Sequence, residues 1–197
     1  MHGLQSRMDR ARSDAGITLA ELLIYSFLAI IVLTLVGQFL INSLRVDAQV
    51  RDGAAAASNA QVAAASIGQG IRNASAVDLI EPEPGLLVLR TRSIGGGEES
   101  AWFCQAWAIQ DGNLRWTISP DAIPVSAEAI ASWTLIVDSV QPATAKPFFV
   151  VNPADRAVDF AFTIANGDGA PILIDTTAVS RQPIPATGRV SLPCFGS

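Results

Sequence analysis

The chain has 197 residues, of which 50% are hydrophobic and only 16% are charged. This length allows one compact domain with an accessory segment, or two small domains, and a wholly soluble enzyme is seldom so apolar. The formal net charge of -5 argues against a large basic surface, so no direct contact with nucleic acid is expected. Because His2 is the only histidine, most acid/base catalysis and most zinc chemistry are also disfavoured.

A continuous apolar segment follows a short polar start. Residues 22–41 carry no charge over twenty positions, and their only strongly polar side chain is Gln38. As a helix this segment is about 30 Å long, which matches the hydrocarbon core of a bilayer. Three arginines and two aspartates precede it. The positive-inside rule therefore predicts a single-pass protein of the cytoplasmic membrane, with the N-terminus inside and the head outside.

A secretory signal peptide is the alternative explanation of this segment. Its apolar core is usually about 7 to 15 residues long and ends at a small-residue A-x-A-like site. The segment here is longer, and INSLRVDAQV at its far end lacks that pattern. We therefore expect a membrane helix that is retained.

An acidic residue, Glu21, lies directly before the apolar segment. A carboxylate inside a membrane helix costs about 2.5 to 3.5 kcal/mol on insertion scales unless it is paired with a cation. In one interpretation Glu21 stays hydrated at the depth of the lipid headgroups and favours the helix dipole. In the other interpretation it meets a cation within the membrane.

The residues around Glu21 form a specific pattern. Residues 16–23 read GITLAELL and follow a short basic leader. This segment resembles the class III signal of type IV pilins and pseudopilins, which has a glycine, an apolar residue, Thr, Leu, any residue, Glu and a hydrophobic helix. The sequence departs from that pattern at Ile17, where the family usually has Phe, and at Ala20, where Ile or Val is usual.

The resemblance implies processing and assembly through the N-terminus. In the family, a membrane-embedded prepilin peptidase cuts after the glycine and methylates the new N-terminal residue. Carried over, cleavage lies between Gly16 and Ile17, Ile17 is N-methylated, and Glu21 neutralises the terminal amine of an adjacent subunit. Glu21 lies four residues beyond Ile17, on the same face of the predicted helix.

The resemblance also implies a function and partners. The chain is expected to be a structural subunit of a type IV pilus, type II secretion or DNA-uptake fibre at the cell surface or in the envelope. Its partners would be other pilin or pseudopilin subunits, the prepilin peptidase, the membrane and an assembly platform protein. A head of roughly 120 residues is large for a bulk component, which favours a minor pilin or pseudopilin of the J or W kind.

The layout after the membrane segment changes from helix to strands. Residues 45–73 are rich in Ala with apolar residues near helical spacing, which predicts one helix from Thr18 to about Asn73; a flexible linker is the alternative. The breaker EPEPG precedes short segments rich in Val, Ile, Thr and aromatic residues. The predicted strands are 86–92, 101–110, 114–119, 133–140, 148–151, 157–165 and 172–179. Tight turns are predicted at 111–113 and 166–169.

These elements predict an α+β fold, in which a long N-terminal helix packs on an antiparallel β-sheet head, as in pilins. The helix has a transmembrane half and an amphipathic half. The expected segments are a leader (1–16), a transmembrane helix (17–44), an amphipathic extension (45–78) and an exported β-rich head (79–197).

Two cysteines, Cys104 and Cys194, are the remaining candidates for chemistry. In an exported head an even number suggests one disulfide, and two buried free thiols are the alternative. Neither an ordinary zinc site nor a Cys-His nucleophile is available to them. We expect no catalytic residues, no metal, no cofactor and no enzymatic activity. The turn starting at Asn166 comes nearest to an EF-hand, but Thr177 stands where the twelfth-position glutamate is needed; a calcium site formed by distant loops is the alternative.

Two further alternatives concern ligand binding. Four tryptophans could form a platform for sugars or bases, but all lie in predicted strands, where Trp ordinarily fills the core. The four are Trp102, Trp107, Trp116 and Trp133. A different class of function is a signal-anchored exported protein that binds a ligand through its β-rich head and does not polymerise.

Overall fold

The computed structural model describes residues 18–94, 102–154, 156–167, 169–182 and 194–195. Within these residues the chain forms two helices and nine strands, and the predicted α+β fold class is confirmed. The helices are α1 (Leu19–Asn73) and α2 (Ala127–Ala131). The strands are β1 (Ala74–Glu83), β2 (Leu86–Ile94), β3 (Trp102–Gln110), β4 (Asn113–Ser119), β5 (Thr134–Val137), β6 (Val140–Pro142), β7 (Phe149–Asn152), β8 (Ala157–Asn166) and β9 (Gly169–Val179).

The chain divides into two compact units, Met1–Ala48 and Gln49–Ser197. In the first unit, the described residues consist of Thr18 and the apolar part of α1. The second unit contains the Ala-rich part of α1 and all the strands.

The Ala-rich part of α1 packs on the strands of the second unit. Its buried residues recur every three or four positions, which is the spacing of one helix face. Small alanines at three of these positions let the sheet approach the helix backbone. The buried apolar residues on this face are Ala56, Ala60, Ala63, Ile67 and Ile71.

The first sheet is an antiparallel meander in the order β1-β2-β3-β4-β5. The turn between β3 and β4 consists of Asp111 and Gly112, with φ of 50° and 73°. Two consecutive positive φ angles are typical of the type I′ turn that matches strand twist, and Asp-Gly is a favoured pair there. The tight turn predicted at 111–113 is thus confirmed as a two-residue loop.

The second sheet is built around β8. This strand pairs with β9 and also with β6 and β7, and all three pairings are antiparallel. The single strand predicted over 133–140 was wrong, because it divides into β5 of the first sheet and β6 of the second. Between them Ser139 has a φ of 57°, a left-handed conformation that breaks an extended chain.

Sequence reasoning missed strand β1. Residues 74–78, assigned to the amphipathic extension (45–78), belong to β1, so the expected boundary at residue 78 lies within this strand. The helix ends at Asn73, and the next residues pair with β2. Pro82 lies near the end of β1, which is an edge strand, where a missing N–H is tolerated.

The first sheet buries both of its faces. One face joins the buried side of α1 and the second sheet in the main core, in which Trp107, Leu114 and Phe162 are fully buried. The other face forms a second apolar cluster with residues from the segment around α2 and from the C-terminal tail. That cluster contains Leu86, Val88, Cys104, Ala106, Ala108, Ile123, Ile130, Trp133 and Cys194.

Candidate membrane and assembly site

The first part of α1 exposes apolar side chains on all sides. Leu19 is 79% exposed, Phe27 65% and Phe39 77%, and the most apolar window of this helix has no buried residue. Within the described residues this is one helix long and apolar enough to cross a membrane. An all-round apolar helix suits hydrocarbon or a bundle of other helices, because such a surface is unfavourable in water.

The hydroxyl groups within this segment bond to the helix itself. Ser26 Oγ donates to the carbonyl oxygen of Leu23 at 2.9 Å, and Thr34 Oγ1 donates to that of Ile30 at 2.7 Å. In hydrocarbon a polar group without a partner costs several kcal/mol. These internal hydrogen bonds therefore make both residues compatible with lipid.

Thr18 caps the start of α1. Its side-chain Oγ1 accepts a hydrogen bond from the backbone N–H of Glu21 at 3.2 Å. Its carbonyl oxygen accepts one from the N–H of Leu22 at 3.1 Å. This is the usual role of Thr at an N-cap. The cap places Glu21 in the first turn of the helix.

The Glu21 side chain is bonded to Tyr25. The Tyr25 hydroxyl donates to Glu21 Oε1 at 2.7 Å, and both side chains are exposed. This hydrogen bond orients the carboxylate along the helix but does not neutralise its charge. In the described part of the chain no cation pairs with Glu21. Sequence reasoning missed Tyr25, although its spacing of four residues from Glu21 is a usable signal.

The predicted processing site cannot be placed beside this geometry. Gly16 and Ile17, the residues of the expected cleavage and N-methylation, lie outside the described residues. The structure brings Thr18, Glu21 and Tyr25 together at the start of α1. Cleavage, methylation and the assembly role of Glu21 stay predictions.

The spacing of charged residues along α1 indicates where Glu21 can lie in a bilayer. Arg45 is the next charged residue after Glu21 in the sequence. The intervening helix rises about 36 Å, which exceeds a hydrocarbon thickness of about 30 Å. Both charges can therefore reach the headgroups in a single subunit. The carboxylate needs a cation only when the helix moves out of that position.

A disulfide joins the two cysteines, as predicted. Cys104 and Cys194 are bonded, with their Cα atoms 5.3 Å apart, and both are buried. Arg92 lies opposite Cys104 in the pairing of β2 with β3. Next to the bridge, Phe195 lies 5.3 Å from the guanidinium carbon of Arg90, a cation–π distance. The bridge attaches the tail to the second face of the first sheet.

The same face carries a buried arginine. Arg92 is 4% exposed, and its guanidinium carbon lies 4.1 Å from the Trp102 ring centroid. Burial lowers the pKa of Arg92 from its ordinary value, because desolvation disfavours the charged form. The aromatic face partly replaces the lost water.

The tryptophans occupy different positions. Trp107 is fully buried and Trp133 nearly so, as expected of core residues, whereas Trp102 and Trp116 are half-buried. Trp133 precedes β5 instead of lying within a strand. The four do not all face one surface, because Trp107 belongs to the main core and Trp133 to the second cluster.

The carboxylates do not converge on a metal site in the described ranges. Among those residues, no group of three His, Cys, Asp or Glu side chains could hold an ion. The turn near residue 166, considered for calcium, includes Asp168, which lies outside the described residues.

Comparisons with protein-family profiles, with curated proteins and with solved structures found no match to this chain. The functional interpretation therefore depends on the geometry at the start of α1 and on the sequence pattern around Glu21.

Proposed function

We propose that the chain is a structural subunit of a type IV pilin-like fibre, in the class of minor pilins or pseudopilins. The observation that carries this proposal is the Glu21 carboxylate, held at the capped start of an exposed apolar helix with a hydrogen-bond donor and no counter-charge among the described residues. In a single subunit Glu21 can stay hydrated at the headgroups, but within a bundle of apolar helices the carboxylate needs a cation. Another subunit provides that cation.

The cation in this proposal is an α-amino group. Cleavage between Gly16 and Ile17 would create a terminal amine next to the apolar helix. In a bundle of such helices, that amine and Glu21 of a neighbouring subunit neutralise each other within hydrocarbon. A buried pair is acceptable when both partners are present and costly when one is removed. The pair therefore sets the axial register between subunits.

The exposed apolar surface provides the attraction in this assembly. Within lipid this attraction comes from van der Waals packing of helix against helix, because lipid tails are as apolar as the side chains they surround. Exposed aromatic and aliphatic residues along the first part of α1 offer packing surface to several neighbouring helices. The same surface holds the subunit in the membrane before assembly. Helix packing supplies affinity, and Glu21 supplies selection of the correct register.

The head suits exposure outside the cytoplasmic membrane. Its disulfide is of the kind that persists in oxidising compartments and is rare in the cytosol. Orientation with the N-terminus inside follows from the charges before the span. We assign the chain to a minor position, because its length and β-rich layout resemble those of pseudopilins of the J or W kind. Partners are other subunits, a prepilin peptidase and an assembly platform protein.

Intact mass spectrometry tests the proposal. The full chain is expressed in membranes with and without a prepilin peptidase, and its mass is measured. We expect loss of sixteen residues and gain of one methyl group only when the peptidase is present. A Gly16→Val variant, which changes the residue at the cleavage point, should keep its full mass. Wild-type chain that stays uncut with an active peptidase contradicts the proposal and favours the anchored ligand-binding protein.

A further inference from the structure

A cavity of about 260 Å³ lies in the second unit, between β1 of the first sheet and β7 and β8 of the second. An engineered cavity of about 150 Å³ is large enough for benzene, so this one can hold a small organic group. Its walls include the apolar side chains of Val77, Val151 and Val158. Arg156 and Ser180 contribute polar groups to the same lining.

Hydrogen bonds hold Arg156 in place at this cavity. Its Nη2 donates to Ser180 Oγ at 2.7 Å, and its carbonyl oxygen accepts from the Ser180 N–H at 3.0 Å. The Ser180 hydroxyl donates its own hydrogen to the carbonyl oxygen of Ala74 at 2.5 Å. Because that hydrogen is already used, the hydroxyl oxygen is oriented as an acceptor for Arg156. The guanidinium is therefore positioned before any ligand binds.

The charge of Arg156 is not matched by an anion in the described residues. The side chain is half-buried, and the ion pairs found there involve other residues. A guanidinium has five N–H donors, and removing a cation from water is costly unless acceptors replace the water. Arg156 also has a φ of 55°, which is uncommon for a residue with a Cβ and often marks a functional position.

Main-chain hydrogen bonding also fixes the segment that carries Ser180. The backbone N–H of Arg181, the residue after Ser180, donates to the carbonyl oxygen of Arg72 at 3.0 Å. Arg72 is in the last turn of α1. The end of this helix therefore holds the backbone next to the hydroxyl that accepts from Arg156.

We propose that this cavity binds a carboxylate group, with its oxygens on the Arg156 guanidinium and its carbon stem among the three valines. The guanidinium fork matches a carboxylate in size and planarity. The apolar walls favour a short aliphatic stem over a highly hydrated phosphate. The carboxylate can come from an acidic residue of another protein or from a small organic acid. The site lies in the second unit, and the argument for it does not depend on fibre assembly.

Binding of matched charged and neutral probes tests this proposal. The full chain in detergent micelles is labelled with ¹⁵N-arginine, and the Arg156 Nε–Hε resonance is followed by NMR. One arm compares butyrate with butyramide. The other arm uses a blocked peptide that has one central glutamate, and compares it with the same peptide carrying glutamine at that position. We expect a carboxylate probe to shift this resonance saturably and to bind at least about tenfold more tightly than its neutral counterpart.

Two variants complete the design. Arg156→Gln, which keeps a long polar side chain, should weaken carboxylate binding by about tenfold or more. In this variant binding is followed on the backbone N–H resonance of Arg181, the residue after Ser180, which the same arginine label makes visible. Arg45→Gln makes the same change of charge at an exposed position of α1 and should bind like the wild type. Binding of butyrate alone supports a small acid as the source, and binding of the glutamate peptide alone supports a protein.

Three results would overturn the proposal. They are failure of both carboxylate probes to bind, equal binding of the neutral counterparts, and unchanged binding in a folded Arg156→Gln variant. The comparison of probes on the wild-type chain decides the matter even if that variant fails to fold. None of these results affects the role in fibres, since no assembly step is measured.

Discussion

The indole ring of Trp107 occupies the space directly above Gly70 of α1. A Cβ added to Gly70 would lie 1.9 Å from Trp107 Cη2, closer than atoms can approach. The ring is fully buried, and its Nε1 donates to Ser66 Oγ at 2.9 Å. Glycine lowers helix propensity by about 1 kcal/mol relative to Ala. At this position the missing side chain is what allows the helix and the first sheet to meet.

Gly70→Ala should destabilise the head. Although Ala is a better helix former, its methyl group would overlap the Trp107 ring, and overpacking of a core costs typically about 1 to 3 kcal/mol. We expect a net loss of up to about 2 kcal/mol after the gain of about 1 kcal/mol in helix propensity. Chemical denaturation of the full chain in detergent micelles, followed by Trp fluorescence, measures the change in unfolding free energy.

Gly53→Ala is the matched control for this prediction. Its Cβ would lie 3.5 Å from Asn166 Oδ1, an ordinary contact distance. The variant should therefore gain up to about 1 kcal/mol from helix propensity. Equal unfolding midpoints for the two glycine variants would show that the Trp107 contact does not limit the approach of the helix.

Ser66→Ala should destabilise the head through a lost hydrogen bond. The change leaves the buried N–H of Trp107 without its acceptor, which costs about 1 to 3 kcal/mol. In a Trp107→Phe background the same change should cost much less, because no donor remains to be satisfied. Denaturation of both single variants and the double variant gives the coupling energy. Additive effects would contradict the contribution of this hydrogen bond.

Local patterns in the sequence account for much of the fold. The apolar run, the Ala-rich helix and the Asp111-Gly112 turn each depend on neighbouring residues, and the structure has all three. The helix and turn features need no knowledge of distant contacts. The bridge joins residues far apart in the sequence, and it was expected only from the even number of cysteines.

Features set by tertiary contacts were not predictable in this way. The strand expected over 133–140 divides at Ser139. Its first part pairs in the first sheet as β5, and its last residue begins β6 of the second sheet. Strand β1 begins directly after the helix, within the segment assigned to the amphipathic extension (45–78), because it pairs with β2. The Arg156 cavity combines residues from strands far apart in the sequence. Only Tyr25, four residues from Glu21, could have been found from spacing.

Removal of the disulfide should strongly destabilise the head. Cys104 and Cys194 are separated by 90 positions, for which the chain-entropy estimate is about 4.5 kcal/mol. We expect Cys194→Ser to lower the unfolding free energy by about 2 to 5 kcal/mol. Denaturation with and without dithiothreitol measures the effect in the wild type. The Cys104→Ser/Cys194→Ser variant should not respond to dithiothreitol, and a wild type that also does not respond would contradict this role.

Glu21→Gln should block assembly without preventing membrane insertion. The change keeps the size of the side chain and removes its charge, so an incoming terminal amine would enter hydrocarbon without a counter-charge. We expect incorporation into fibres to fall by about tenfold or more, as measured by immunoblotting of sheared fibres. Membrane fractionation and intact mass should show normal insertion and processing. Glu128→Gln, an exposed change in α2, is the control for charge and should assemble normally.

Tyr25→Phe separates the charge of Glu21 from its orientation. This variant loses the hydroxyl that bonds Glu21 Oε1 but keeps the carboxylate. If charge neutralisation controls assembly, incorporation of Tyr25→Phe should fall much less than that of Glu21→Gln. The reverse order would mean that the hydrogen bond within one helix matters more than the cation from another. Fibre incorporation of both variants is measured side by side at equal membrane levels. The comparison tests whether the charge of Glu21 selects the register, and not only whether the first helical turn is important.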